Sequence, residues 1–416
     1  MKIVSIVGAR PQFVKIAPLA SAFARYNGDA SEAVEHLIVH TGQHYDVQMS
    51  EVFFKDLGIP EPTVNLEVGS GGHARQTGAM LEKIEAVLQD THPDLVVTFG
   101  DTNSTLAGAL AAAKLNTPVA HVEAGLRSFN RRMPEEINRV VADHICDLLL
   151  APTPTAVKNL ACEGLKDRAV QTGDIMYDAM LLSRAAADQR TTVLDRVGAE
   201  PGGYGVVTAH RAENTDDDRR LSSLLETFNR IAETGLPLLF PIHPRTAKVL
   251  RMKFPDWTAH PRLRLIDPVG YLDMLSLVLH ARVALTDSGG LQKEAFFLGC
   301  PCVTLREETE WVETVEAGAN IVAGVSPDNI LQAVATHERR YPRGKADFAE
   351  KVEASFGDGH AADRIRDTLL AYGRSLGARR ETRTLDNLST TGRLASAHLP
   401  WVGKRVWGDA AVENCD

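Results

Sequence analysis

Asp287, Ser288, Gly289 and Gly290 stand between an apolar run at 281–285 and an apolar-periodic segment at 291–298, which predicts a strand, a tight turn and a helix start. Two glycines let the backbone approach a ligand, and the first N–H groups of a helix have no partner within it. The helix dipole favours negative charge at that end, so the expected guest is a phosphate or diphosphate. Ser288 and Glu294 are the side chains placed to assist. An ordinary serine-capped connection would use the same residues, so the pattern counts only together with the rest of the chain.

Acids recur where other strands should end. Asp101 follows the run 95–99, Glu123 follows 119–122, and Glu135 sits one residue after Pro134 at a helix start. Asp101 could serve as an acid or base, with Asn103 or Ser104 capping the following helix. Alternation along an extended strand end would put His121 and Glu123 on one face. Glu135 could equally pair with Arg139 at i, i+4, and Glu136 reads as structural. Three carboxyls from neighbouring strand ends look instead like acid–base machinery, because crowding separates their proton affinities. Arg10 and Lys15, after the first strand, supply two cations for a diphosphate. His210 and Arg211 end the run 204–209, His243 ends 237–241, and Arg306 offers a further cation near acids.

Positioning these residues takes a repeated scaffold. Short β-branched runs at 3–7, 36–40, 95–99, 119–122 and 148–151 alternate with helical patterns at 11–25, 74–89, 105–115 and 135–146. Continuous apolar strands between helices predict a parallel sheet covered on both faces. The alternation pauses at 191–203, read as a linker, and resumes at 204–209, 237–241, 263–266, 283–286 and 302–305. The expected fold is α/β: two Rossmann-like domains facing a cleft, the first at 1–190 and the second at 204–372, with ligand at the carboxyl ends of the strands. The last helix is expected to return to the first domain, and 373–416, without periodicity, reads as an irregular tail.

A net charge of -9 argues against a nucleic-acid partner, and no run approaches the ~20 apolar residues of a membrane span. Five cysteines without CxxC spacing suit buried thiols in a reducing cytoplasm, and the N-terminal run is too short for a signal peptide. Histidine spacing gives no metal site, and no GxGxxG follows the first strand, so neither metal nor cofactor is expected.

In order, Gly8-Ala9-Arg10-Pro11, Gly42-Gln43-His44, Gly100-Asp101-Thr102, His121 to Arg127, Pro134-Glu135-Glu136 with Asn138-Arg139, His210-Arg211 with Glu213-Asn214, His243-Pro244, and Thr286 to Gly290 with Gln292 and Glu294 resemble the non-hydrolysing UDP-N-acetylglucosamine 2-epimerases, relatives of two-domain GT-B glycosyltransferases. The resemblance covers about residues 1–372. It implies that UDP leaves C1 as a base takes the C2 proton, giving a 2-acetamidoglucal, and then re-adds while C2 is protonated from the other face. Carried over by motif, Asp101, Glu123, Glu135 and His210 handle protons, Arg10, Ser288, Gly289, Gly290 and Glu294 hold the nucleotide, and Arg139 lines the site. A homodimer is implied in the same way.

After His44 the chain carries Tyr45-Asp46-Val47-Gln48-Met49-Ser50, unlike members regulated by a second UDP-sugar. The stretch from Ser128 to Met133 looks like the branch acting on UDP-2,3-diacetamido-2,3-dideoxyglucuronate, whose carboxylate Arg131 or Arg132 could pair with bidentately. A GT-B glycosyltransferase needs an acceptor site as well, and a non-catalytic UDP-sugar sensor would show no exchange at C2.

Overall fold

The structure is a computed structural model that describes residues 1–30, 33–43, 59–189, 192–342 and 345–391. The Tyr45 to Ser50 stretch, read above for regulation, lies outside the described residues, as does 392–416. Each apolar run is a strand whose neighbours are parallel, and all but Leu263–Ile266, which exposes Leu265, are largely buried. The first sheet holds β1 (Lys2–Val7), β2 (Glu35–His40), β3 (Val64–Asn65), β4 (Leu95–Phe99), β5 (Val119–Val122), β6 (Leu148–Ala151) and β7 (Ala169–Gln171). Its order is β3-β2-β1-β4-β5-β6-β7. The second holds β8 (Gly205–Thr208), β9 (Leu238–Pro241), β10 (Leu263–Ile266), β11 (Val283–Thr286), β12 (Cys302–Thr304) and β13 (Asn320–Val322), in the order β10-β9-β8-β11-β12-β13.

Both sheets reverse direction beside their first strand, between β1 and β4 and between β8 and β11. Helices diverge at such a point, which opens a crevice at the carboxyl ends of the strands. Arg10 and Asp101 follow β1 and β4, and His210 and Ser288 follow β8 and β11. Gln12 ties the first switch point together: its carbonyl accepts from Gly8 N at 2.7 Å and its amide donates to Phe99 O at 2.8 Å. Gly8 must be glycine, since a Cβ there would lie 2.0 Å from Thr41 Oγ1. At the second, Thr208 and Thr286 sit opposite in register and share a hydrogen bond of 2.6 Å.

Three expectations need correction. The segment read as a linker contains the helix Thr192–Val197, whose Val193 and Leu194 are buried; six residues, under two turns, are too few to show a period. Thr102, rather than Asn103 or Ser104, caps the helix Asn103–Lys114, because its side chain is the one that reaches Thr105 N. The helix Ala361–Thr391 runs on through 373–391, which was read as irregular. Arg, Leu, Glu and Ala favour helix without needing an apolar stripe, so absent periodicity misled. Its first turn is held by Asp178, which accepts from Ala361 N and Ala362 N, and Asp363 bonds Arg25 of the helix Arg10–Asp29 at 2.9 Å. Among the described residues, no helix is long and apolar enough to cross a membrane.

Candidate active site

The turn expected to seat an anion is built from β11 outward. Asp287, fully buried, accepts from His210 N (2.9 Å), Arg211 N (3.0 Å) and Asn214 amide (3.1 Å), so the end of β8 is fastened to the end of β11. The helix Gly289–Phe297 then begins, and Ser288 at its N-cap makes no side-chain capping bond. Its hydroxyl is therefore not committed to the helix, unlike that of an ordinary serine cap. A Cβ at Gly289 would lie 2.2 Å from Oε1 of Glu310, so a side chain there would have to displace that carboxyl. His210 Nδ1 lies 3.4 Å from Asp287, and the His243 ring is 5.8 Å from the His210 ring.

Each of the three expected carboxyls is paired with at least one cation. Asp101 accepts from Arg139 at 2.5 Å, and Glu135 accepts from Arg211 at 2.6 Å, a bond between the helix after β5 and the strand end of β8. The i, i+4 alternative of Glu135 with Arg139 is thereby replaced; Arg139 turns to Asp101 and, at 3.1 Å, to Glu136. Glu136 also takes Ser128 N and Phe129 N, each at 2.9 Å, and so shapes the loop after β5. Glu310 lies among Arg306, Arg139 and Arg211; burial would raise its carboxyl, but those guanidinium groups hold it below the usual range.

Glu123 departs from strand alternation, with φ of 73°. An L residue rarely adopts that left-handed backbone, so the fold imposes it. His121 and Glu123 consequently serve different partners. Both His121 ring nitrogens meet oxygens at 2.7 Å, on Asp143 and on Gly100. Glu123 instead bonds Lys15 through one oxygen and Lys293 through the other, the latter at 2.8 Å. Burial alone would raise the Glu123 carboxyl, but Lys15 and Lys293 overcome it and hold it down to about 2. Lys15 is thus spent on Glu123 rather than standing as a second cation for a diphosphate.

Crowding among Asp101, Glu123 and Glu135 was expected to separate acid from base. Among the described residues the carboxyls that rise are others: Asp178, Glu213 and Glu294. Glu294, buried at the bottom of the seat, is pushed up to about 7 by burial, against the pull of Arg10, Tyr271 and Lys293. Arg10 lies 5.9 Å from the Tyr271 ring, where burial lowers its basicity and Glu294 raises it. Arg131 and Arg132 are both exposed beside Asn130, whose amide bonds Glu308. Among the described residues, no group of three or more His, Cys, Asp or Glu could hold a metal ion.

Residue reading alone missed Asp174, Lys293 and Gln12. Asp174 follows a strand just as Asp101 does, but β7 is only three residues long and gave no apolar run. Lys293 lay inside the glycine-containing motif, where a lysine on a helix reads as solvated.

Two switch-point crevices, with an anion-ready helix start on one sheet and ion-paired carboxyls on the other, define a GT-B-like nucleotide-sugar enzyme. A sequence profile described as UDP-N-acetylglucosamine 2-epimerase matches residues 27–370, and the chain belongs to that family. It is a UDP-sugar 2-epimerase, an isomerase. It is 46% identical over 372 residues to a UDP-N-acetylglucosamine 2-epimerase homolog of Methanococcus maripaludis, covering 89% of this chain and 99% of the relative. It is 45% identical to the UDP-2,3-diacetamido-2,3-dideoxy-D-glucuronate 2-epimerase of Pseudomonas aeruginosa, covering 89% and 99%. Its fold is similar to the crystal structure of the Methanocaldococcus jannaschii UDP-GlcNAc 2-epimerase in complex with UDP-GlcNAc and UDP, with a TM-score of 0.81, 42% identity and coverage of 89% and 100%.

Proposed function

We propose that the chain interconverts UDP-N-acetylglucosamine and UDP-N-acetylmannosamine without hydrolysis. The C2 proton leaves to a side-chain base as the C1–O bond breaks, UDP departs with the bonding pair, and a C1=C2 double bond forms. UDP oxygen then re-attacks C1 while C2 takes a proton on its other face. C2–H is a weak acid, so stabilising the departing diphosphate contributes most to lowering the barrier. The observation that carries this reading is the opposition of Ser288 to Gly290 on one sheet to the cation-matched Asp101, Glu123 and Glu135 on the other, linked by the Arg211 to Glu135 bond.

In this reading Arg10, Ser288, Gly289 and Gly290 take the diphosphate and Glu294 the ribose. Glu294 suits that role because a carboxyl near neutrality both donates to and accepts from hydroxyls. Asp101, Glu135 and His210 are the groups free enough to move a proton, being partly exposed, while Glu123 stays ionised. Arg139 and Arg211 orient Asp101 and Glu135, with Arg306 behind Glu310 and His243 behind His210. The test is solvent exchange: the sugar recovered from deuterated water carries deuterium at C2. Recovery of both sugars without deuterium would sink the mechanism.

The identity with the Pseudomonas aeruginosa relative supports a second reading, the same chemistry on UDP-2,3-diacetamido-2,3-dideoxyglucuronate. Exposed Arg131 and Arg132 would then meet the ring carboxylate. Assays with both sugars, without an acceptor, separate the two. A cytoplasmic homodimer belongs to the same proposal and is checked by light scattering.

A further inference from the structure

Lys293 is 1% exposed. Its ammonium bonds Glu123 at 2.8 Å and Asp174 at 2.5 Å, and it lies 3.8 Å from the centroid of the Trp311 ring. Both acids sit at strand ends of the first sheet, after β5 and β7, whereas the lysine rides the helix of the second sheet that begins at the anion seat. Asp174 is itself anchored: its other oxygen caps the helix Ile175–Gln189 by accepting from Met176 N at 2.8 Å. Behind Trp311 stand Phe356 and Phe297, 5.1 Å apart, so the group is sealed from water.

Lys15, Glu123, Lys293 and Asp174 form a neutral, desolvated set of two cations and two anions. Such a set is a poor device for stability alone, since apolar residues of the same volume serve as well or better. It excels at fixing geometry, because each ion is costly to leave unpaired. Lys293 lies one helical turn after Gly289 and Gly290, so the helix transmits its position directly to their N–H groups.

We propose, on the basis of the function above, that Lys293 is a positioning residue: it locks the helix that starts at Ser288 to the carboxylate of Glu123, holding the departing UDP over the face of the sugar through both half-reactions. Loss of the lock would let the two sheets drift while glucal and UDP are both bound. The intermediate pair would then escape instead of recombining. The charged groups facing Glu123 are Lys15 from the first helix and Lys293 from the second sheet, with Asp174 behind Lys293. His121 is turned away to Asp143 and Gly100. Removing the Lys293 charge therefore favours protonated Glu123, which moves the acid limb of kcat/KM to higher pH.

The test compares the parent chain with Lys293→Met/Asp174→Asn, in which no buried charge is newly stranded on Asp174, and with Lys293→Gln, which keeps a donor. Expected for the double variant are UDP affinity within about threefold of the parent, kcat lowered about 30-fold or more, and free glucal plus UDP per turnover raised about tenfold. Lys293→Gln should fall between. A glucal partition and acid limb matching the parent, in either variant that unfolds cooperatively, would overturn the proposal. Amide exchange of 119–128 in the presence of UDP gives a readout independent of turnover. It should quicken about tenfold in the double variant if the lock exists, and unchanged exchange would overturn the lock. A parent chain that shows no glucal and no C2 exchange, yet whose 119–128 segment loosens in the variant, would refute the proposed function and leave the lock standing.

Discussion

Glu123 and Glu294 are both buried carboxyls beside the crevice, and both feel Lys293, yet they end in opposite states. Glu123 belongs to the first sheet and has a lysine on each oxygen, which holds it down to about 2. Glu294 belongs to the second sheet, where burial outweighs Arg10, Tyr271 and Lys293 and pushes it up to about 7. Depth is therefore not what sets their charge. Two directly bonded lysines offset desolvation at Glu123, whereas Arg10, Lys293 and the hydrogen bond with Tyr271 together fail to offset it at Glu294. Glu123 is thus held ionised on one side of the crevice, while Glu294 on the other titrates near neutrality.

The sharpest way to break this contrast is Glu123→Gln. It removes the fixed negative charge between Lys15 and Lys293, and C2 exchange should fall about a thousandfold or more while UDP affinity changes less than about threefold. Loss of UDP binding in parallel would move Glu123 to the nucleotide side. Next in size is Arg10→Ala. With a charge-assisted contact gone, the dissociation constant for UDP should rise about 30-fold, measured by calorimetry, and an unchanged constant would remove Arg10 from the seat.

The stability of the two acids separates by pH. Glu123 in the fold lies below its ordinary 4.5, so its contribution is complete above 4.5 and is lost as pH falls toward about 2. Glu294 lies above 4.5, so the fold is penalised progressively as pH rises from 4.5 to about 7, and the penalty is complete beyond. Glu294→Gln should raise the ligand-free melting temperature by a few degrees at pH 8 and leave it nearly unchanged at pH 4.5. A gain of equal size at both would show that the carboxyl never titrates in that window. The smallest effect is expected at the rim: Arg132→Ala should lower activity on the diacetamido uronate about tenfold relative to UDP-N-acetylglucosamine, and equal losses would deny Arg132 the carboxylate.

The same contrast marks how far residue order alone leads. Asp101 and Glu123 were recognisable as acids at strand ends, and Ser288 to Gly290 as a strand-to-helix turn, because strand length, turn glycines and helix starts are local properties of consecutive residues. The family, too, was legible, since its motifs recur in order through residues 8–294, and the profile match confirms it. Partnership was not legible. Glu135 and Arg139 have ideal spacing for a helix pair, yet Arg211 and Asp101 claim them from 76 and 38 residues away.

What the sequence by itself determined, then, is the α/β alternation, the two parallel sheets that follow from it, and the kinds of side chain delivered to the strand ends. Only the tertiary structure decided which cation meets which acid, that Lys15 and Lys293 converge on Glu123 from different sheets, and that Glu294 remains without a directly bonded lysine. The physical reason is range. Backbone geometry is settled within a few residues, whereas the charge of a buried group depends on every ion within several ångströms of it, and those ions come from parts of the chain that meet only when the two sheets face each other.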